Sequence, residues 1–461
     1  MAALAWGALA FGAVYEWAYA PLLVVCALLG VLALVSTRGV PLRDGRAILV
    51  ALVLSGVAGI AQLVPLPTAT LQAISPSTDA FLRQYDLSYS IEGSAHPLSI
   101  DPPATVLGLA FFAAFTLFLV GLTRAFSRWG VRRVVFAIAV LGGVVGAIAV
   151  VQKLVLGDHA FMGMKIYGFW TPESKLVVPF GPYVNRNHFA GWMLMVVPLA
   201  AGYLCALLVD AANGRRLDFR SRILWLSTPA GGKALLVAMA IMIMTLSLGM
   251  SMSRSGIGCM VIAMGLVAAR LLFTLKTARA KVASVLLFFV LVCLPVSWVG
   301  LNATVERFST DSVGSVPTRL RAWQNTLAVI RDFPVAGTGL NTFGTAMVVY
   351  QTGSRDVHFQ ESHNDYLQLA AEGGLLMGIP IFIAGIAFAR AVRRRFATGE
   401  QDRSSGWVRF GAVAGVVAIA LQSLVEFSLQ MPGNAAMFVV LLAIVLHAPV
   451  GVRSSERPRT H

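Results

Sequence analysis

The feature that most limits how this chain can fold is the recurrence of apolar runs close to the length that crosses a bilayer. Leu107–Leu122, Val134–Val151, Met193–Val209, Ala234–Leu248, Val282–Val299 and Leu375–Ala389 are examples, spread along the 461 residues. A helix needs ~20 consecutive apolar residues to span the hydrocarbon, where only internally hydrogen-bonded backbone is tolerated. Charge agrees. Asp, Glu, Lys and Arg make up 12% of the chain, about half the ~25% of a soluble domain, and mean hydropathy is +0.77. The sequence therefore predicts an all-α polytopic membrane protein, one membrane domain over residues 1–461.

The N-terminus has no basic region, and Ala2–Val35 has no clear small-residue cleavage site, so no cleavable signal peptide is expected. That stretch reads as one long helix or two short ones broken at Tyr15-Glu16-Trp17. Cys26, Cys205, Cys259 and Cys293 all fall in apolar segments and read as small buried hydrophobes, not disulfides or metal ligands.

The net charge of +15 could point to nucleic acid, but its distribution points to topology. Segments 37–46, 124–133, 210–233, 270–281, 390–409 and the tail from 451 hold 25 of the 36 Lys and Arg, but only 6 of the 21 Asp and Glu. Every second loop thus obeys the positive-inside rule. Ten helices follow residue 46 in this reading, with one or two before it, giving about 11–12 in all and a cytoplasmic C-terminus. Three loops on the outer face are long: Pro65–Ala104, Leu154–Tyr183 and Leu301–Ser362. Long loops in compact proteins are functional or disordered. In the last, Leu320, Trp323, Leu327 and Ile330 follow a helical period, which predicts an amphipathic helix over Arg319–Ile330 lying along the membrane surface.

Four groups of residues could carry chemistry at that outer face. In Ser251-Met-Ser-Arg254-Ser-Gly256 a lone Arg stands between two apolar runs at the tip of a helical hairpin. Charge at membrane depth is costly, and a guanidinium offers phosphate a planar fork of donors, so an anion site is expected there; snorkelling to headgroups is the plainer reading. Ser362 followed by Asp365 resembles a capping box, which would start a helix with His363 in its first turn. Unsatisfied N–H groups there would attract an anion and favour a neutral imidazole able to accept a hydroxyl proton. Asp365, Gln368 and Glu372 form one polar stripe on that helix, turned away from His363 and expected to tie neighbouring helices together. Finally, Asn185-Arg186-Asn187-His188 opens a helix after a loop carrying Lys165, Tyr167, Trp170, Lys175 and Tyr183, and reads as sugar or headgroup binding or as interfacial anchoring. Glu361 joins this group as a weaker candidate. No His-x-x-x-His, Cys-x-x-Cys or P-loop pattern is present, so neither a metal nor ATP is expected.

Three of these segments, taken in order, resemble the bacterial O-antigen ligase and polymerase superfamily. They are the Ser-Arg254-Ser-Gly hairpin, the Arg319-x-x-x-Trp323…Phe333-Pro334-x-x-Gly337-x-Gly339 block, and His363-Asn-x-x-Leu367-x-x-x-x-Glu372-x-Gly374. Asn185–Gly191 is similar to a pattern frequent in members from exopolysaccharide and O-antigen loci. The resemblance implies a GT-C-like fold in the inner membrane, with a large periplasmic loop carrying amphipathic helices. It also implies an inverting, metal-independent glycosyltransferase without cofactors, using a glycan on undecaprenyl diphosphate at the periplasmic face. By position, Arg254 and Arg319, with Arg321 as a neighbouring alternative, would bind the diphosphate, and His363 would activate the acceptor hydroxyl or orient the donor. A surface-polysaccharide polymerase is the first expectation and a ligase to lipid A core the nearest alternative. Acceptor glycan or lipid, membrane lipids and an export or chain-length system are the expected partners, and nucleic acid is not. A lipid-linked oligosaccharide flippase or transporter would instead place charges near the midplane of several helices. Here they gather at the outer ends, with Glu426 near a helix end as a partial exception.

Overall fold

The computed structural model describes residues 1–42, 45–92, 95–156, 165–172, 178–212, 219–275, 312–353, 358–397 and 403–449, with a few positions between 277 and 290. Among them are seventeen α-helices and no named strand: α1 Ala2–Leu9, α2 Glu16–Ser36, α3 Arg46–Ala61, α4 Thr68–Ile74, α5 Pro76–Tyr85, α6 Leu87–Glu92, α7 Pro102–Trp129, α8 Arg132–Leu156, α9 Arg186–Ala211, α10 Phe219–Leu226, α11 Pro229–Ser251, α12 Arg254–Thr274, α13 Ser312–Asp332, α14 Phe343–Tyr350, α15 Asp365–Ala397, α16 Arg403–Gln422 and α17 Pro432–Leu446. Eight of these are long and apolar enough to cross a membrane, and α3 and α17 are shorter apolar helices. The chain is a multi-pass membrane protein. The expected span at Val282–Val299 and the residue Lys175 lie outside the described residues, the former almost wholly. The N-terminal stretch forms two helices, with the break at 10–15.

Capping chemistry sets where the spans begin. Asp101 Oδ1 accepts from Ala104 N–H (3.1 Å) ahead of Pro102 in α7, and the Thr228 hydroxyl accepts from Gly231 N–H (3.2 Å) ahead of Pro229 in α11. In both, a side-chain oxygen satisfies an orphan donor and a proline fills the first helical position, where no N–H is needed. Helix α9 is apolar all round, as a helix enclosed by others must be. It is buried from His188 to Leu204, with α8, α11, α12, α16 and α17 around it.

The basic segments contact one another at one end. Arg132 pairs with Asp210 (2.6 Å), Ala448 N–H donates to the Ser127 hydroxyl (2.9 Å), and Arg409 donates to the His447 carbonyl (2.8 Å). The Arg270 guanidinium stands over the rings of Phe410, Phe396 and Trp407 (4.5, 4.9 and 5.2 Å). At the other end, two of the long loops fold together into a cap. Ile100, Val329, Phe333, Phe343 and Met347 form one small core, and Leu71, Leu82, Tyr89, Leu98 and Ala336 form another. The third long loop is pinned to the N-terminal helices, with Trp170 Nε1 donating to the Tyr15 hydroxyl (3.1 Å) and the Tyr167 hydroxyl to the Leu9 carbonyl (2.5 Å).

The amphipathic helix expected at Arg319–Ile330 is longer and faces differently. Its buried residues are Ala322, Asn325, Thr326 and Val329, while Leu320 and Leu327 are exposed. The apolar stripe is thus turned roughly a third of a circle from the buried face at ~100° per residue. Packing on the cap uses Ala322, Asn325, Thr326 and Val329, with Ile330 half-buried against the cap's core and Trp323 half-buried beside it in the helix; Leu320 and Leu327 are left outward, where lipid can cover them.

Helix α15 is the element on which the site hangs. Its 33 residues would run ~50 Å if straight, well beyond a ~30 Å hydrocarbon core. Gly374 breaks it, with φ 54° and ψ −158°. Residues 334–339 cross the break and take up the freed groups. Thr338 N–H donates to Ala371 O (2.9 Å), Gly339 N–H to Glu372 O (3.0 Å) and Leu375 N–H to Pro334 O (3.0 Å). A Cβ at Gly374 would sit 2.5 Å from Val335 O and 2.6 Å from Gly337 N, so only glycine allows this crossing.

Candidate active site

Five segments distant in sequence meet at the end of the bundle that carries the cap. Asn185 caps α9, its Oδ1 accepting from Asn187 N–H (2.8 Å). This cap aims the Asn187 side chain sideways, where its amide donates to Glu426 Oε1 (2.8 Å) and its oxygen accepts from the Ser253 hydroxyl (2.8 Å). Ser253 in turn caps α12, whose first residue is the partly buried Arg254. Met252, in the left-handed region at φ 54°, makes the hairpin tight. Two motif glycines permit the approach of the strands of chain around α9. A Cβ at Gly256 would meet the Ala190 Cβ at 2.6 Å, and one at Gly191 would meet the Ser428 hydroxyl at 2.7 Å. Without them neither the hairpin nor the 422–428 turn could lie against α9.

Glu426, in that turn, is the centre of the group. Its side chain is fully buried, yet three charged or polar groups from separate elements address it: Arg319 by an ion pair to Oε1, Asn187 at the same oxygen, and His363, whose Nδ1 lies 3.8 Å from Oε2. Burial alone would raise the carboxyl above the ordinary range. The His363 imidazole and the Arg319 guanidinium, with His188 further off, outweigh it and hold the group below that range, so it is ionised. Phe427 stands between two imidazoles, its ring 4.6 Å from that of His188 and 4.8 Å from that of His363, both edge-on.

The start of α15 differs from the expectation. The cap is Asn364, whose Oδ1 accepts from Tyr366 N–H and Leu367 N–H (both 3.0 Å). The Ser362 hydroxyl instead donates to the Asn364 carbonyl (2.6 Å) and accepts from the Asn364 N–H (3.1 Å). Asp365 N–H donates to Ser423 O and Gln368 N–H to Asn364 O (3.0 Å each), so the first-turn donors are taken. His363 therefore lies ahead of the helix, not in its first turn, and the cradle of free N–H groups expected there does not exist. Its backbone is left-handed at φ 54°, uncommon for a residue with a Cβ and stabilised only by surrounding contacts.

The polar stripe divides. Asp365 accepts from Gln430 (3.4 Å), whereas Glu372 accepts from Asn341 N–H (2.8 Å) and Phe343 N–H (3.2 Å), tying the cap to α15. Gln368 bridges the Glu361 carboxylate, Glu372 Oε1 (3.3 Å) and Ser362 N–H (3.1 Å). Glu361 thus joins the Glu372 group, not Asn185–His188. Burial pushes its carboxyl up to about 8, the Gln368 hydrogen bond partly offsetting this and the Glu372 and Asp365 carboxylates adding to it. Arg321 is exposed on α13 and lies beside Gly353, away from Glu426. Arg186 is half-buried at the start of α9. Sequence reasoning missed Glu426 as a site residue, although a lone acid near a helix end in so apolar a chain was the available signal.

A bundle of long apolar helices with a buried polar cluster of Arg, His, Asn and Glu at the end that carries the cap defines a polytopic membrane protein. Residues 239–383, just under a third of the chain, match the family model described as O-antigen ligase. Over this segment, which holds Arg254, Arg319 and His363, the resemblance to the O-antigen ligase and polymerase superfamily is borne out. Among curated proteins nothing matches the chain.

Proposed function

We propose that the chain is an inverting, metal-independent glycosyltransferase. It moves a glycan from undecaprenyl diphosphate to an acceptor hydroxyl at the periplasmic face of the inner membrane, as a surface-polysaccharide polymerase. The family implies a glycosyltransferase-type enzyme. The observation that carries the finer reading is the meeting of Arg319, His363 and Asn187 at Glu426, with the Arg254 hairpin stapled to the same Asn187. A diphosphate leaving group gathers negative charge as the anomeric bond breaks, and fixed cations stabilise it without reorganisation. Arg254 and Arg319 serve that role. His363 takes the acceptor proton as the oxygen attacks the opposite face of the anomeric carbon. The Asn185–Gly191 segment favours polymerase; the description of the matched family favours ligase as the second reading.

The test is transfer by the purified protein in lipid nanodiscs, with an undecaprenyl-diphosphate glycan as donor. Arg254→Ala and His363→Ala are expected to lose about 100-fold or more in rate. Wild-type rates in both would overturn the reading, as would a complete loss of activity in EDTA for its metal-free part. Product length with glycan or lipid A core acceptors separates polymerase from ligase.

A further inference from the structure

Two buried atoms face each other in this site without a hydrogen-bond partner: Glu426 Oε2 and His363 Nδ1, 3.8 Å apart. Buried polar atoms are almost always paired, so an orphaned couple of donor and acceptor calls for a reason. The separation is too long for a hydrogen bond yet short enough to close by a small side-chain movement. The rest of the His363 side chain keeps 29% exposure, so the open part of the ring lies away from its Nδ1 edge. We propose that Glu426 is the positioning residue of this site: it grips His363 at Nδ1 and Arg319 through its other oxygen, leaving the far imidazole nitrogen for the acceptor hydroxyl. Glu426 lies outside the segment that the family model matches.

This inference rests on the glycosyl transfer proposed above. In that step the acceptor oxygen bonds to the anomeric carbon and its proton passes to His363. The bond to the diphosphate breaks with its electron pair on the leaving group, beside Arg319. The imidazolium formed is adjacent to a fixed carboxylate, so proton transfer creates no isolated buried charge. One acid thereby sets the base and a leaving-group cation in register, while Asn187 and the Gly191 contact fix the acid itself. Four titratable or charged groups face Glu426: Arg319 from α13, His363 ahead of α15, His188 from α9 and Asp365 from α15.

Glu426→Gln keeps the shape and a hydrogen-bonding group for Asn187 while removing the charge. The transfer assay should show kcat per folded molecule lowered about 100-fold with the donor KM within threefold of wild type. Glu426→Asp should restore about tenfold of that loss. A merely structural acid would lower the melting midpoint and the folded yield and leave kcat per folded molecule unchanged, which would overturn the proposal. A lower donor KM at unchanged kcat would also overturn it, by making Glu426 a competitor of the diphosphate for Arg319. Should Glu426→Gln not fold, Glu426→Asp carries the test: kcat down about tenfold supports positioning, and wild-type kcat refutes it. If His363→Ala and Arg254→Ala are inactive while Glu426→Gln is not, this inference alone fails. If those two are active, the transfer reading fails and takes it along.

Discussion

Replacing Gly374 with Ala tests the packing that holds the cap on the bundle. At φ 54° and ψ −158° the residue occupies a region that a Cβ makes costly, at ~1–3 kcal/mol. The new methyl would also lie 2.5 Å from the Val335 carbonyl oxygen and 2.6 Å from Gly337 N, both backbone atoms that no rotamer change can move. Overpacking of that kind costs another ~1–3 kcal/mol. Against this, the loss of glycine's freedom in the unfolded chain returns ~0.4–1 kcal/mol. The net expectation is a destabilisation of about 3 kcal/mol. Gly385 on the same helix is the control, since a Cβ there meets nothing within 4 Å. Gly385→Ala should be neutral or gain up to ~1 kcal/mol from helix propensity. Reversible unfolding in mixed micelles, followed by tryptophan fluorescence against the mole fraction of SDS, measures both. Transfer activity of Gly374→Ala should fall too, because the 334–339 crossing leads directly from the C-terminus of α13, which carries Arg319. A Gly374→Ala variant within about 0.5 kcal/mol of Gly385→Ala, the range of an ordinary surface substitution, would refute the argument, for it would mean the crossing yields at no cost.

The two arginines of α13 should separate. Arg319→Ala is expected to cost about 100-fold in transfer rate and Arg321→Ala less than about threefold, since only the former meets Glu426; equal effects measured side by side would contradict the assigned geometry. Asn187→Asp, which sets a second carboxylate against the buried Glu426 and removes the amide donor, should abolish transfer and lower the melting midpoint, whereas an active and stable variant would show that this contact is dispensable. Glu361 gives a pH signature. Its carboxyl is raised from 4.5 to about 8, so the folded state holds a proton that the unfolded state releases, and its contribution is full below 4.5 and declines as pH rises to about 8. Glu361→Gln does not titrate, so its melting midpoint minus that of wild type should widen between pH 5 and 8 and then level; a difference independent of pH would reject this assignment.

How much of this was legible in the sequence follows from the range of the forces involved. Spans are written locally, as length and hydropathy, and the basic loops that sequence assigns to one side do contact one another through Arg132–Asp210 and Arg270–Trp407. The division of the N-terminal stretch into two helices was legible as well, although the break falls at 10–15, with Glu16 and Trp17 already inside α2. The start of α15 was not, because Ser362, Asn364 and Asp365 are all competent caps and the choice among them depends on Ser423 and Leu424, some sixty residues away, whose carbonyls bond Asp365 N–H and the Asn364 amide. The orientation of α13 was illegible for a related reason. A helical period reveals an apolar stripe but not whether protein or lipid covers it, and here Ala322, Asn325, Thr326 and Val329 form the buried face.

The site itself shows the same division between what lies within a motif and what lies between motifs. Arg254, Arg319 and His363 each stand in a recognisable local pattern, and all three fall in residues 239–383. What draws Arg319 and His363 together is a carboxylate at 426 and an amide at 187, one on each side of that segment. Neither has a local pattern of its own, since a single buried Glu in a turn and an Asn near a cap are common. Their meaning comes from the contact between them, and that contact depends on Gly191 admitting the 422–428 turn. A motif can therefore carry the reacting groups while the geometry that makes them a site is supplied by residues it does not include. The consequence is physical. For the transfer proposed above, a cation for the leaving group must be held near a base, and one buried anion from outside the motif, meeting both Arg319 and His363, does this with a single side chain.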